Sequence, residues 1–200
     1  MLRAAMRIVA EKGAASATLA EIGVAAGYSR GLPAERFGTK LALLSALMDF
    51  MEHWFERRVR EAVAGKTGLA AVRARIDAHI DGACADRIGT AALYSCFVAS
   101  LYAVPGLRLR TQALSESFHR GFRTHLAEAR KEGELRKGMD TAKVASILVG
   151  ALRGMIIQSL LDDGVTDLAA CRNQIHAVFE AGLAAARKDA QERLPMRRRA

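Results

Sequence analysis

Cysteine, proline and aromatic residues are all scarce in this chain, and each scarcity removes a class of structure. There are three cysteines, Cys84, Cys96 and Cys171, an odd number with no CxxC or Cys/His cluster among them. A disulfide framework and a zinc site are both disfavoured, and buried or half-buried thiols in a reducing cytoplasm are expected. Aromatic residues are 6% of the chain, only three prolines occur, and β-branched alternation is sparse. Ala and Leu dominate instead, which predicts an all-α fold. The histidines His53, His79, His119, His125 and His176 show no HxxxH pair and no Cys/His ligand spacing, so no metal is expected. No Gly-rich phosphate loop, nucleophile elbow or paired-carboxylate arrangement occurs, so neither a cofactor nor an enzyme is expected. The N-terminal apolar residues are broken by Arg3, Arg7, Glu11 and Lys12, unlike a signal peptide. Arg153 interrupts the apolar run Val144 to Leu161, which is too short and too charged for a membrane span.

What is present is a large apolar fraction, 51%, and a net charge of +9 over 200 residues. The charge is uneven: residues 1–60 carry +3, residues 61–186 carry +2 and residues 187–200 carry +4. A nearly balanced middle with basic ends suits nucleic acid at one end and a solvated tail at the other. Three units are expected: a helix-turn-helix head over 1–45, a helical bundle over 46–187 and a basic, disordered tail over 188–200.

The most informative stretch is Thr18 to Lys40. Thr18 with Glu21 three residues later makes a capping-box pattern, and Leu19, Ile22 and Ala26 share one helical face. Gly27 stands where a helix ends on a left-handed residue, Tyr28 offers an apolar anchor, and Ser29 is the expected N-cap of a second short helix. Two helices joined by a tight Gly turn predict a helix-turn-helix, with Arg30, Gly31 and Leu32 at the end of the second helix that meets base edges. Phe37 returns the chain to the core, and Thr39 and Lys40 open the next helix.

Ala25, Ala26, Gly27, Tyr28, Ser29, Gly31, Phe37, Thr39, Lys40 and Leu43 resemble in spacing the DNA-binding signature of the TetR family of bacterial transcriptional regulators. Three positions depart from the family pattern: Pro33 where it is usually aliphatic, Ala34 where it usually has Tyr, and Arg36 where it usually has His. The family usually carries a basic arm before its first helix; here the chain begins almost at that helix, and no contact from such an arm is expected. The resemblance implies double-stranded DNA as a partner. Thr18, Tyr28, Ser29, Arg30, Gly31, Leu32, Arg36, Thr39 and Lys40 would form the DNA-binding set, with Thr18 and Tyr28 contacting or positioning phosphate, Arg30 facing guanine and Lys40 pairing with phosphate.

Helical periodicity continues to the end of the chain. The first helix is expected over about 2–12, a lever carrying Leu43, Leu44, Leu47, Phe50, Met51, Trp54 and Phe55 over 39–64, then helices over about 69–84, 90–104, 107–132, 141–161 and 167–187. The sixth, apolar nearly all round, is expected to be buried. The eighth has an apolar surface too wide for one face, with Gly150 and Gly154 four apart. A four-helix contact between two copies would bury the surplus, as the resemblance also implies; Leu148, Leu152, Ile156, Cys171, Ile175, Val178, Phe179 and Gly182 are its expected members. Within the bundle the resemblance implies a small-molecule effector site, for which Trp54, Phe55, Tyr94, Phe97, Tyr102, Phe118, Phe122, Met155 and Gln158 supply apolar walls with a few polar groups. The expected function is a ligand-responsive, homodimeric repressor; activation, or a helical carrier protein with a degenerate head, are the alternatives.

Overall fold

The computed structural model describes residues 1–162 and 166–184. Its helices are α1 (Leu2–Lys12), α2 (Leu19–Ala25), α3 (Leu32–Phe37), α4 (Lys40–Val63), α5 (Gly68–Ala85), α6 (Arg87–Ala99), α7 (Arg108–Lys131), α8 (Thr141–Leu161) and α9 (Leu168–Leu183), with a 3₁₀ turn at Pro105–Leu107. No strand occurs among the described residues; a lone antiparallel bridge joins Leu135 to Ala184. The basic tail expected over 188–200 lies outside the described residues.

Side-chain caps set the helix starts. Thr18 Oγ1 accepts from the Glu21 N–H at 3.2 Å, and Glu21 Oε2 accepts from the Thr18 N–H at 3.2 Å, completing the capping box. Thr39, Asp140 and Asp167 cap α4, α8 and α9 more simply, each side-chain oxygen accepting from first-turn N–H groups. Gly27 takes φ +77°, the left-handed turn between α2 and α3. The second helix of this pair begins at Leu32 rather than just after Ser29. Pro33 has no N–H to give the Ser29 carbonyl, so Leu32 N–H closes a tighter turn onto that carbonyl at 3.3 Å. The N-cap is therefore Gly31, not Ser29, although Ser29 Oγ still accepts from Leu32 N–H at 3.2 Å.

Gly23 holds the two short helices together. A Cβ there would stand 2.5 Å from the Ser29 carbonyl oxygen and 3.0 Å from Pro33 Cδ, so only hydrogen fits. Ala5, Val9 and Ile22 then share one core with Leu43, Leu44, Leu47 and Met48 of α4, and with Ala92, Cys96, Leu107 and Leu114 from the bundle. The Ala14 N–H also donates to Ser95 Oγ on α6 at 2.8 Å.

A second core joins α5, α7, α8 and α9 through Val72, Ile76, Ile80, Phe122, Leu126, Leu148 and Leu152. α9 is tied to α5 by charge: Arg172 pairs with Asp77 at 3.1 Å and with Asp81, and His176 Nε2 meets Asp77 Oδ1 at 2.8 Å. α8 has the length and hydropathy of a membrane-crossing helix, yet seven of its residues, Leu148 and Leu152 among them, are buried against its neighbours. α6 differs from expectation in extent and burial. Asp86 caps it early by accepting from Gly89 N–H at 2.8 Å, and the chain turns out of the helix after Ala99, leaving Val98, Leu101 and Tyr102 exposed.

His79, on α5, is enclosed by aromatic rings, with Phe55, Phe122 and Phe118 centroids at 4.7, 5.5 and 5.6 Å. Its Nδ1 lies 2.7 Å from the Arg75 carbonyl, so Nδ1 carries the donated proton. Burial, reinforced by the charges of Arg75 and Arg153 and opposed by that hydrogen bond, pushes its pKa from 6.5 down to about 4.

Two predictions follow from these contacts. Gly23→Ala forces backbone apart between α2 and α3; a loss of about 1–3 kcal/mol is expected, and an unchanged midpoint in urea unfolding would refute the close packing. For His79 the unfolded chain takes up a proton below pH 6.5 that the folded chain refuses until about pH 4. Stability therefore falls as pH drops through that window, by about 2 kcal/mol at pH 5. Denaturant unfolding at pH 7 and pH 5 measures this contribution as the part of the difference that disappears in His79→Leu.

Candidate nucleic-acid interface and adjoining cavity

The turn and α3 place a compact set of polar groups on the surface. Tyr28, Ser29, Arg30, Gly31, Arg36 and Thr39 are exposed, Leu32 is half-buried, and neither Arg30 nor Arg36 makes an ion pair among the described residues. Two guanidinium groups near a short helix give a surface suited to phosphate and base edges. Thr18 is exposed, with its hydroxyl engaged in the capping box. Lys40 is half-buried, and its ammonium donates to the Ala15 carbonyl, so it braces the turn between α1 and α2. Pro33 is buried and Ala34 is exposed. Gly23 is the residue that the sequence pattern did not mark; a glycine inside a helix seven residues long was its one signal.

Beside this unit, a cavity of about 670 Å³ opens between α1, α4, α5 and α6 and reaches Phe118 of α7 and Ile156 of α8. Trp54, Phe55, Tyr94 and Phe118 line it, as the sequence suggests. Five other expected members do not. Phe122 is fully buried beneath His79, Phe97 packs on Tyr94 with centroids 6.1 Å apart, and Met155 joins the core of α5, α7 and α8. Tyr102 is exposed because the chain has already left α6, and Gln158 is exposed on the outward side of α8. Among the lining residues not anticipated for the cavity are Arg3, Met6, His79 and Ile156. Only tertiary packing brings Arg3 and Met6, on the first helix, against the middle of α4. His79 left a fainter trace, as the one ring nitrogen pair in an otherwise apolar stripe of α5.

This cavity has a buried inner wall and a cationic rim. Burial drives the Tyr94 hydroxyl up to about 12, and the Cys96 thiol on the same helix also to about 12. Arg57 lies over the Trp54 ring at 4.0 Å, and Arg3 and Arg58 share the rim.

α8 and α9 carry the remaining apolar surface. Leu148, Leu152 and Ile156, expected between copies, are buried within the protomer itself, and Ile175 and Phe179 pack partly on the same core. Cys171 is half-buried, while Val178 and Gly182 do face outward. The helical pattern left two apolar sides of α8 equivalent, and packing selected the side of Leu148. The outward side shows Ile147, Gly150, Ala151, Gly154, Ile157 and Leu161, with open space above both glycines.

Known proteins share this architecture. The crystal structure of a regulator from Chloroflexus aurantiacus is 20% identical, with a TM-score of 0.80, over 92% of this chain and 94% of that one. The regulator FadR from Bacillus subtilis, solved in complex with stearoyl-CoA, is 19% identical with a TM-score of 0.75, over 90% and 96% of the two chains. NalD, the secondary repressor of the MexAB-OprM multidrug efflux pump in Pseudomonas aeruginosa, is 19% identical with a TM-score of 0.70, over 92% and 93%. No curated protein sequence matches. Residues 1–47 match the bacterial regulatory proteins of the tetR family, and residues 102–175 match the tetracyclin repressor-like C-terminal domain. With a helix-turn-helix domain ahead of a helical C-terminal domain, the chain belongs to the TetR family of bacterial transcriptional regulators.

Proposed function

We propose that this regulator is a homodimeric repressor that leaves a near-palindromic operator when a small molecule enters the cavity between α1, α4, α5 and α6. The observation that carries the reading is the shared wall: Arg3 and Met6 of the head line the same cavity as Trp54, Phe55 and Tyr94 of the bundle. A ligand that changes the spacing of α1, α4 and α6 has differential contact with two head positions, which is what coupling requires. A FadR solved with stearoyl-CoA supports a ligand-responsive use of the fold.

On DNA, Arg30 takes a guanine edge, Tyr28, Ser29, Thr39 and Lys40 hold phosphate, Gly31 and Leu32 allow close approach, and Arg36 adds charge. Thr18 positions the first of the two helices through its cap. The two heads are held by a contact between copies over the outward faces of α8 and α9, where Ile147, Gly150, Gly154 and Ile157 meet Val178 and Gly182. Small residues there permit close helix approach, and apolar ones drive burial.

Binding to duplex DNA taken from beside the coding region, at two salt concentrations, tests the first claim. Saturable binding that weakens with salt is expected, with a loss of about tenfold or more in Arg30→Ala. Weak, nonselective binding that ignores Arg30 would point to a carrier with a degenerate head. Sedimentation equilibrium tests the second: Ile147→Glu is expected to give monomers of unchanged helicity, and a persistent dimer would remove α8 from the interface.

A further inference from the structure

The charge around the cavity is only partly compensated by the protein. Among the described residues, three buried side-chain polar atoms lack a hydrogen-bond partner: Arg75 Nε, His79 Nε2 and Arg153 Nε. All three belong to the cluster of rings around Phe118 and Phe122, where Arg153 lies 5.8 Å from Phe118 and Arg75 lies 5.6 Å from Phe122.

Of these three groups His79 lines the cavity, and Arg153 stands behind its wall at Phe118. Its guanidinium rests over Phe97 at 4.8 Å, its Nη2 donates to Ser115 Oγ at 3.1 Å, and it pairs with no carboxylate among the described residues. It sits one helical turn before Ile156 and behind the Phe118 ring, both of which line the cavity. Burial lowers its pKa, the sign of a cation enclosed without an anion. The rim adds Arg3, Arg57 and Arg58 against two carboxylates. Of those, Glu61 lies 3.9 Å from Arg57 and Asp86 is engaged in capping Gly89. Leaving a buried charge unpaired is costly, and an entering anion relieves that cost.

We infer that the cavity binds an amphipathic carboxylate, its apolar body along Met51, Phe55 and Trp54 and its carboxylate at the inner end beside Tyr94, drawn to Arg153. This rests on reading the cavity as the effector site. A carboxylate is selected over a neutral polar group because it brings the charge that the enclosed guanidinium has no partner for, and its two coplanar oxygens match the guanidinium fork once the Phe118 ring gives way. A cationic ligand meets repulsion from the rim inward.

Trp54, the one tryptophan of the chain, lines the cavity and reports binding directly. Decanoate, decan-1-ol and decylamine, of equal chain length and below their aggregation concentrations, are titrated at pH 7.5 against the full chain by Trp54 fluorescence and by calorimetry. Decanoate is expected to bind about tenfold or more tighter than decan-1-ol, the size of a hydrogen bond to a charged group, with decylamine weakest. Arg153→Met should erase the preference for the acid and leave decan-1-ol within about twofold. Arg153→Lys, which keeps the charge and loses the fork, should retain part of the preference and serves if the Met variant does not fold. Equal affinity for the three probes, or a preference untouched by both variants, overturns the carboxylate inference while the cavity stands as a ligand site. Binding of none of them, by either readout, overturns the carboxylate inference; if DNA affinity also fails to respond to any of the three, the effector reading falls with it.

Discussion

Everything in this molecule depends on a core that the small N-terminal unit cannot close by itself. Three helices of 11, 7 and 6 residues bury too little surface to be stable alone. Leu43, Leu44, Leu47 and Met48 of α4 fill that core from one side, and Ala92, Cys96, Leu107 and Leu114 complete it from α6, the 3₁₀ turn and α7. The hydrogen bond from Ala14 to Ser95 fixes the register of this joint. Because apolar packing is dense and responds to small displacements, the position of the head is set by the bundle rather than by a flexible link. The cavity lies against this same joint and shares wall residues of α1 and α4 with the head.

The order and type of the helices were legible in the sequence because they are set by local signals. Thr18 with Glu21 forms the capping box that its spacing suggests, and Thr39, Asp140 and Asp167 cap the helices that begin beside them. Gly27 takes the left-handed turn for the same local reason. Legibility fails where two non-local solutions share one pattern. α8 is apolar on both sides, and its periodicity does not tell Leu148, which is buried, from Ile147, which is exposed. Pro33 moved the start of α3 by removing a hydrogen bond whose partner lies four residues back, an effect visible only once the geometry of the turn is known. The cavity was half legible: aromatic residues of α4, α6 and α7 were recognisable as wall material, whereas Arg3 and Met6 arrive from a distant part of the chain and His79 was weighed only as a metal ligand.

The two cores differ in how they treat polar groups. The α5 to α9 joint pairs its charges, with Asp77 receiving both Arg172 and His176. Around Phe118 and Phe122, in contrast, Arg75, His79 and Arg153 keep buried atoms without partners. A structure selected for stability alone would satisfy them or replace them with carbon. Their concentration in one place marks the region where the fold gives up stability.

α3 is too short to hold itself as a helix in water. It exists because Pro33 presets its first turn, Ser29 Oγ holds the Leu32 N–H, and Gly23 lets it lie directly on α2. A partner that meets this surface therefore meets a shape already paid for in folding, and little backbone entropy remains to be lost on contact. Discrimination between partners is then left to Arg30, Arg36 and the other exposed side chains, whose rotamers are free, while the backbone contributes nothing that varies from one partner to the next.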